Sequence, residues 1–292
     1  MSEVVKLFTL QISLIAVVLV LHTYLGLHII RRTLIFSDLV LDQLAAFGAL
    51  VGVGIYTKYA FSESETLAGL AAHFKYASVG SYLLAFVMVL FGSLLLALIK
   101  PRTRAIPREA VIGILYAMAL VISLLLTDKL PDAETYVTAT LSGSLLWVSC
   151  PLVTVTAIVY ILLLIFHYIF RERFIALAEN PQSVKNEKLW DFIFFTTQGI
   201  ITVLIVPIAG VLLAYAFLMI PAATAAIFTK KWAKAILIGW SVGFVACVLG
   251  ISSSYLWNFP YGPTLVLFLG LFFVCAMILQ SLLARRNLNT KG

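Results

Sequence analysis

The chain has 292 residues, of which 62% are hydrophobic and 11% charged, and its mean hydropathy is +1.07. A soluble domain carries about 45–50% apolar and about 25% charged residues, so the apolar surplus must face lipid, which excludes soluble enzymes, nucleic-acid binders and secreted disulfide scaffolds. The net charge of +7 sits mostly in short gaps between apolar runs, where basic residues orient a chain in a membrane.

A helix needs about 20 apolar residues to cross a bilayer. Runs of that kind predict spans at Leu7–Ile30, Phe36–Tyr56, Ala77–Ile99, Ala110–Leu126, Leu145–Phe170, Ala235–Leu256 and Thr264–Leu283. The first run is too long for a signal-peptide core and no basic stretch precedes it. A further run, Phe192–Phe228, is too long for one straight crossing and is interrupted by Pro207 and Gly210. It predicts two short helices, or one crossing plus a re-entrant helix. The expected fold is therefore an all-α integral membrane protein of eight or nine transmembrane helices. Barrel strands, which alternate over about 10 residues, do not fit runs this continuous.

Orientation follows the Lys/Arg bias. The gap after the third span carries Lys100, Arg102, Arg104 and Arg108, and the gap after the fourth carries Asp128, Asp132 and Glu134 against Lys129. The first gap is expected in the cytoplasm and the second outside. Arg171, Arg173, Lys185 and Lys188, then Lys230, Lys231 and Lys234, then Arg285 and Arg286 fall inside by alternation, provided Phe192–Phe228 leaves and returns. The N-terminus is then outside and Arg31-Arg32 at the inner surface. The longest cytoplasmic segment, about 171–190, reads as a helix over Glu172–Glu179, a turn at Asn180-Pro181 and a second helical piece into Trp190. It is either a plain connector or, given its own helical pattern, a docking surface for another protein.

Ionisable groups inside a membrane cost about 2.5–3.5 kcal/mol each on insertion scales, and the second span holds two, Asp38 and Asp42. Four residues apart, they share one helix face, which continues through Ala45, Ala49 and Gly52, with Gln43 beside it. Such a stripe of small residues admits a close helix or leaves room for a pathway. Two carboxylates one turn apart repel if both ionise and titrate as a pair. A divalent cation would supply the missing charge, and oxygen ligands suit manganese, magnesium or calcium. The plainer alternative pairs Asp38 with Arg31 or Arg32 and leaves Asp42 as a cap or hydrogen-bonding group. His22 and His28, six residues apart, do not share a face. His73 reads as a loop residue and His167 as lying near the inner end of the fifth span, each a satisfied polar side chain before it is a ligand. Cys150, Cys247 and Cys275 are isolated within apolar runs and read as small buried residues. No phosphate loop, Gly-x-Ser-x-Gly elbow or His-Glu-x-x-His pair occurs, so neither ATP hydrolysis nor a known membrane-enzyme chemistry is expected of this chain.

The run Arg31-Arg32, then Phe36-Ser37-Asp38-Leu39-Val40-Leu41-Asp42-Gln43-Leu44-Ala45-Ala46-Phe47-Gly48, resembles the start of the second helix in permeases of manganese/zinc/iron ABC importers. Leu189-Trp190-Asp191-Phe192 with Ile208 to Pro221-Ala222-Ala223-Thr224, and Gly262-Pro263-Thr264 after Pro260, extend the resemblance over about residues 26 to 285. It implies one transmembrane permease domain over 1–292, with no permanently bound cofactor, working as a homodimer in the bacterial cytoplasmic membrane. Cytoplasmic ATPase subunits and an extracytoplasmic metal-binding protein would complete the importer. In that family the second helix carries an Asp at a metal gate and, in many members, a His four residues on. Asp38 matches the Asp, whereas Asp42 stands at the His position, as in a branch lacking it. The resemblance thus implies a transient metal path at the dimer centre, lined by Asp38, Asp42 and Gln43. Arg171, Arg173, Asn180, Pro181, Lys185 and Lys188 fall in the segment that meets the ATPase. Zinc, manganese and iron stay open, and the alternative class is an ATP-independent cation carrier or channel using the acid pair as a relay.

Overall fold

The computed structural model describes residues 3–60, 67–99, 106–127, 129 and 150–289. Among them lie ten α-helices: α1 (Glu3–Arg31), α2 (Phe36–Ala60), α3 (Leu67–Leu98), α4 (Arg108–Thr127), α5 (Cys150–Ile169), α6 (Arg171–Glu179), α7 (Glu187–Ala209), α8 (Val211–Phe228), α9 (Trp232–Trp257) and α10 (Tyr261–Asn289). Eight of these, all but α2 and α6, contain a stretch long and apolar enough to cross a membrane. At 25 residues and about 1.5 Å per residue, α2 is also of spanning length, with its two carboxylates in the first two turns.

The long run after Trp190 resolves into two helices of spanning length, α7 and α8, with no short re-entrant piece. Pro207 lacks the N–H for its rung of α7, and Gly210 then turns the chain at φ 80°, a conformation that side-chain-bearing residues disfavour. Helix α3 begins ten residues before the predicted span, so His73 lies in a helix rather than a loop. Hydropathy marks the stretch that crosses lipid, whereas the alanine-rich segment ahead of it continues the helix by propensity. The basic residues Lys100, Arg102 and Arg104, the acidic residues Asp128, Asp132 and Glu134, and the predicted start of the fifth span at Leu145 lie outside the described residues.

The chain divides into two compact units. One comprises Met1–Thr33, Ser144–Arg171 and Leu212–Gly292, and the other Leu34–Gly143 and Glu172–Val211. In the first, Gly26 of α1 lies against the Leu218 carbonyl of α8, and Gly239 and Gly243 of α9 make room for Pro221. Ala222 and Ala225 of α8 join Leu27 and Ala235 in the apolar core there. The Pro-Ala-Ala-Thr run is thus a surface on which α1 and α9 settle closely. Arg31 stacks its guanidinium on Trp232, 3.8 Å from the ring centroid, and donates to the Lys230 carbonyl. The end of α1 and the start of α9 therefore share one membrane face, as the charge pattern requires.

In the second unit, α2 packs on α3, α4 and α7. Helices in lipid gain nothing from hydrophobic exclusion and associate through close contact, which small residues supply here. Gly48 lies against the backbone of Leu84 and Ala85, Gly52 against Ser81, and Gly199 of α7 against Val89. A Cβ at Gly48 would collide with α3 backbone, which cannot rotate away. We expect Gly48→Val to lower stability by about 1–3 kcal/mol, read as a depressed thermal midpoint of the detergent-purified chain. Gly270→Val, where the space is open, serves as the control and is expected to leave the midpoint near that of the parent.

Enclosure differs sharply among the spans. In α7, 67% of the apolar window is buried, against 17% in each of α4, α5 and α10. Helix α7 is thus mostly enclosed by protein, and its buried polar side chains meet protein rather than lipid.

Candidate functional site

Asp38 and Asp42 are 3% and 1% exposed, and both turn toward α7. The Gln198 amide nitrogen donates to Asp38 Oδ1 at 2.6 Å, and Thr202 Oγ1 donates to Asp42 Oδ1 at 2.9 Å. Gln198 and Thr202 are themselves four residues apart, so the contact is a ladder of two rungs, one helical turn between them. Residue numbers rise in the same sense along both helices, which makes α2 and α7 parallel where they meet. The two donors are neutral, so no cation within the ladder offsets the carboxyl groups. The arginine pairing considered for Asp38 is replaced by an amide.

Three buried side-chain oxygens here have no hydrogen-bond partner: one each on Asp42, Gln198 and Gln43. Asp42 Oδ2 and Gln198 Oε1 are buried without a hydrogen bond, although each residue's other polar atom is engaged. An orphaned buried acceptor costs about 1–3 kcal/mol. Gln43 lies on a different side of α2. Its amide nitrogen donates to Ser123 Oγ of α4 at 3.0 Å, and Ser123 donates onward to the Ala119 carbonyl. The structure brings Asp38 and Asp42 together with α7 and sets Gln43 against α4. The small stripe that follows serves close helix approach at Gly52, against Ser81 of α3.

The segment after α5 has the predicted helix–turn–helix form, with a 3-10 turn at Pro181–Ser183 between α6 and α7. Phe174, Leu177 and Ala178 are buried and anchor α6, while Arg171, Arg173, Asn180, Lys185 and Lys188 are exposed and Pro181 is half-buried. Arg173 lies over the Trp190 ring at 4.8 Å, and Phe174 meets the same ring edge-on at 5.5 Å. Next to it, the fully buried Asp191 approaches Arg108 of α4 at 3.5 Å. Arg108 also donates to the Leu96 carbonyl. Its neighbour Glu109 accepts from the Phe36 N–H at 2.7 Å, satisfying a free donor at the start of α2. The first turn of α4 thereby ties the start of α7 to the start of α2, two residues before Asp38.

The histidines of the other unit sit among aromatic rings. His22 stacks on Tyr160 at 5.7 Å and its Nδ1 meets the Val18 carbonyl. Tyr24 meets His28 at 4.6 Å and His167 at 5.3 Å, and His28 lies 4.3 Å from Trp232. Of the cysteines, Cys247 is buried, but Cys150 and Cys275 are exposed. They lie on faces of α5 and α10 turned away from protein, where a small apolar side chain is as compatible with lipid as with a core. Among the described residues no three His, Cys, Asp or Glu side chains come together closely enough to hold a metal ion. The ladder therefore offers two carboxylates and neutral oxygens.

Gln198, Thr202 and Ser123 were not singled out in the sequence. A signal existed for the first two: polar side chains at an i, i+4 spacing within an apolar run, the same pattern that marks Asp38 and Asp42.

Residues 62–280 match the model of the ABC 3 transport family. The chain is 26% identical over 271 residues to a protein named probable metal transport system membrane protein from Chlamydia muridarum, covering 85% of this chain and 89% of that protein. It is 25% identical over 177 residues to the manganese transport system membrane protein MntC of Listeria innocua, covering 59% of this chain and 63% of that one. Among solved structures it is similar to a chain of PsaBC from Streptococcus pneumoniae in complex with Fab. The TM-score is 0.66 at 19% identity, over 91% of this chain and 89% of that one, a likeness of fold.

Proposed function

The chain belongs to the ABC 3 transport family, and from that membership we propose that it is the permease subunit of an ATP-driven importer of a divalent transition metal. It is an integral protein of the cytoplasmic membrane and a transport subunit. The observation that carries the reading furthest is the buried Asp38/Asp42 pair, held only by neutral donors and with a carboxylate oxygen left over. A divalent ion in transit supplies the charge that the ladder lacks. A site with so few carboxylates holds an ion well enough to admit it and loosely enough to release it, unlike a closed tetrahedral cage.

In this reading two copies of the chain line the pathway. An extracytoplasmic binding protein delivers the ion, zinc, manganese or iron, and separate ATPase subunits dock below. Arg171, Arg173, Asn180, Pro181, Lys185 and Lys188 present the docking face, and the buried Phe174 and Leu177 make α6 move with the rest of its unit. Helix α7 starts beside that face and carries Gln198 and Thr202 about 16 and 22 Å further along its axis. A shift of the segment driven by ATP binding is thereby transmitted to the donors that hold Asp38 and Asp42.

Reconstitution tests this. With the cognate ATPase and binding protein in proteoliposomes, manganese or zinc is expected to accumulate against its gradient only when ATP is supplied. The chain alone, under a proton or sodium gradient, is expected to accumulate neither. Concentrative uptake by the chain alone would identify a secondary carrier and overturn the importer reading.

A further inference from the structure

The resemblance that pointed to α2 placed no ligand on α7, yet α7 supplies the groups that face both carboxylates. We propose that Gln198 and Thr202 belong to the cation's station itself, making it an all-oxygen site that prefers manganese to zinc. This rests on the permease reading above and adds to it a second helix and a metal preference.

Three observations support it. Gln198 is fully buried, its amide nitrogen is committed to Asp38, and its amide oxygen has no donor. Thr202 occupies Asp42 Oδ1 and leaves Oδ2 as a second buried acceptor without a donor. Both orphans are oxygens, and both sit on residues that already bridge α2 to α7. Acceptors of this kind are satisfied by a proton donor or by a cation, and no donor reaches either of these two oxygens. Gln198 is then a ligand that also orients Asp38, and Thr202 is a positioning residue that holds Asp42 through Oδ1 and leaves Oδ2 for the ion. The donor set of the ladder contains neither imidazole nor thiolate. Carboxylate and carbonyl oxygens suit manganese, whereas zinc favours nitrogen and sulfur.

The test is manganese binding to the full chain in lipid nanodiscs, followed by electron paramagnetic resonance, with zinc as competitor. The parent chain is expected to bind Mn²⁺ without the modulation of a directly bound imidazole nitrogen. Gln198→Leu is expected to weaken binding about tenfold or more, and Thr202→Val to weaken it where Thr202→Ser does not. Gln198→His keeps a donor for Asp38 and adds a nitrogen ligand. It is expected to show nitrogen modulation and to let zinc compete about tenfold better. Native-like Mn²⁺ affinity in Gln198→Leu, or an unchanged spectrum and zinc competition in Gln198→His, overturns the α7 station. If Asp38→Asn still abolishes binding in that case, the permease reading stands without it. A parent chain that binds no Mn²⁺, the ladder being filled by a proton on Asp42 instead, overturns the station as well. Uptake unaffected by Asp38→Asn would count against the permease path itself.

Discussion

Asp38→Asn is expected to cut metal uptake at limiting metal by about two to three orders of magnitude while the chain still folds and reaches the membrane. The side chain keeps its shape, and its amide oxygen can still accept from Gln198, so the Gln198 rung survives. What disappears is one negative charge beside the ion. At about 4 Å and an effective dielectric near 20, a unit charge is worth about 4 kcal/mol, and each 1.4 kcal/mol is a factor of ten. Nothing in the ladder compensates, because Gln198 and Thr202 are neutral. The measurement is elemental analysis or radiotracer uptake in cells lacking other importers, normalised to the amount of chain in the membrane. Parent-level uptake at limiting metal would remove Asp38 from the path.

Arg108→Ala is expected to have the largest effect on stability, about 3–5 kcal/mol. Asp191 is wholly enclosed, and the Arg108 guanidinium makes a salt bridge to it at 3.5 Å. Removing the guanidinium takes a countercharge away from a buried carboxylate and deprives the Leu96 carbonyl of its donor. The pairing itself contributes less than its loss costs, since two charges must also be desolvated to form it. A double variant, Arg108→Met with Asp191→Leu, should therefore recover much of the deficit. Thermal unfolding of the single and double variants in detergent closes the cycle. Additive effects, with no recovery in the double variant, would show that the pair is not a unit. Because Glu109 holds the start of α2 through Phe36, Arg108→Ala should also loosen the ladder and lower uptake beyond what the loss of folded protein explains.

Most of the spans, the acid pair and the interrupted helix of residues 171–190 were legible without coordinates, for a local reason. Hydropathy over about 20 residues decides whether a segment enters lipid, and a 3.6-residue period decides which of its side chains share a face. Asp38 and Asp42 are recognised by those two rules alone, as is the turn at Asn180-Pro181 between α6 and α7. The resemblance added the class of cargo and of partners. It had no bearing on Gln198 or Thr202, which lie 160 residues along the chain from the carboxylates they hold.

Composition and periodicity thus determined that this chain lives in a membrane, where most of its spans run, and that one helix face carries two carboxylates. The folded chain alone decided what that face meets. Lipid tails are as apolar as leucine and do not rank one helix pairing above another. The choice of partner falls to close fits such as Gly48 on Ala85 and Gly199 on Val89, which depend on the shapes of two surfaces at once. Those fits bring α7 to α2, put an amide rather than an arginine on Asp38, turn Gln43 toward Ser123, and leave Asp42 Oδ2 and Gln198 Oε1 without a donor.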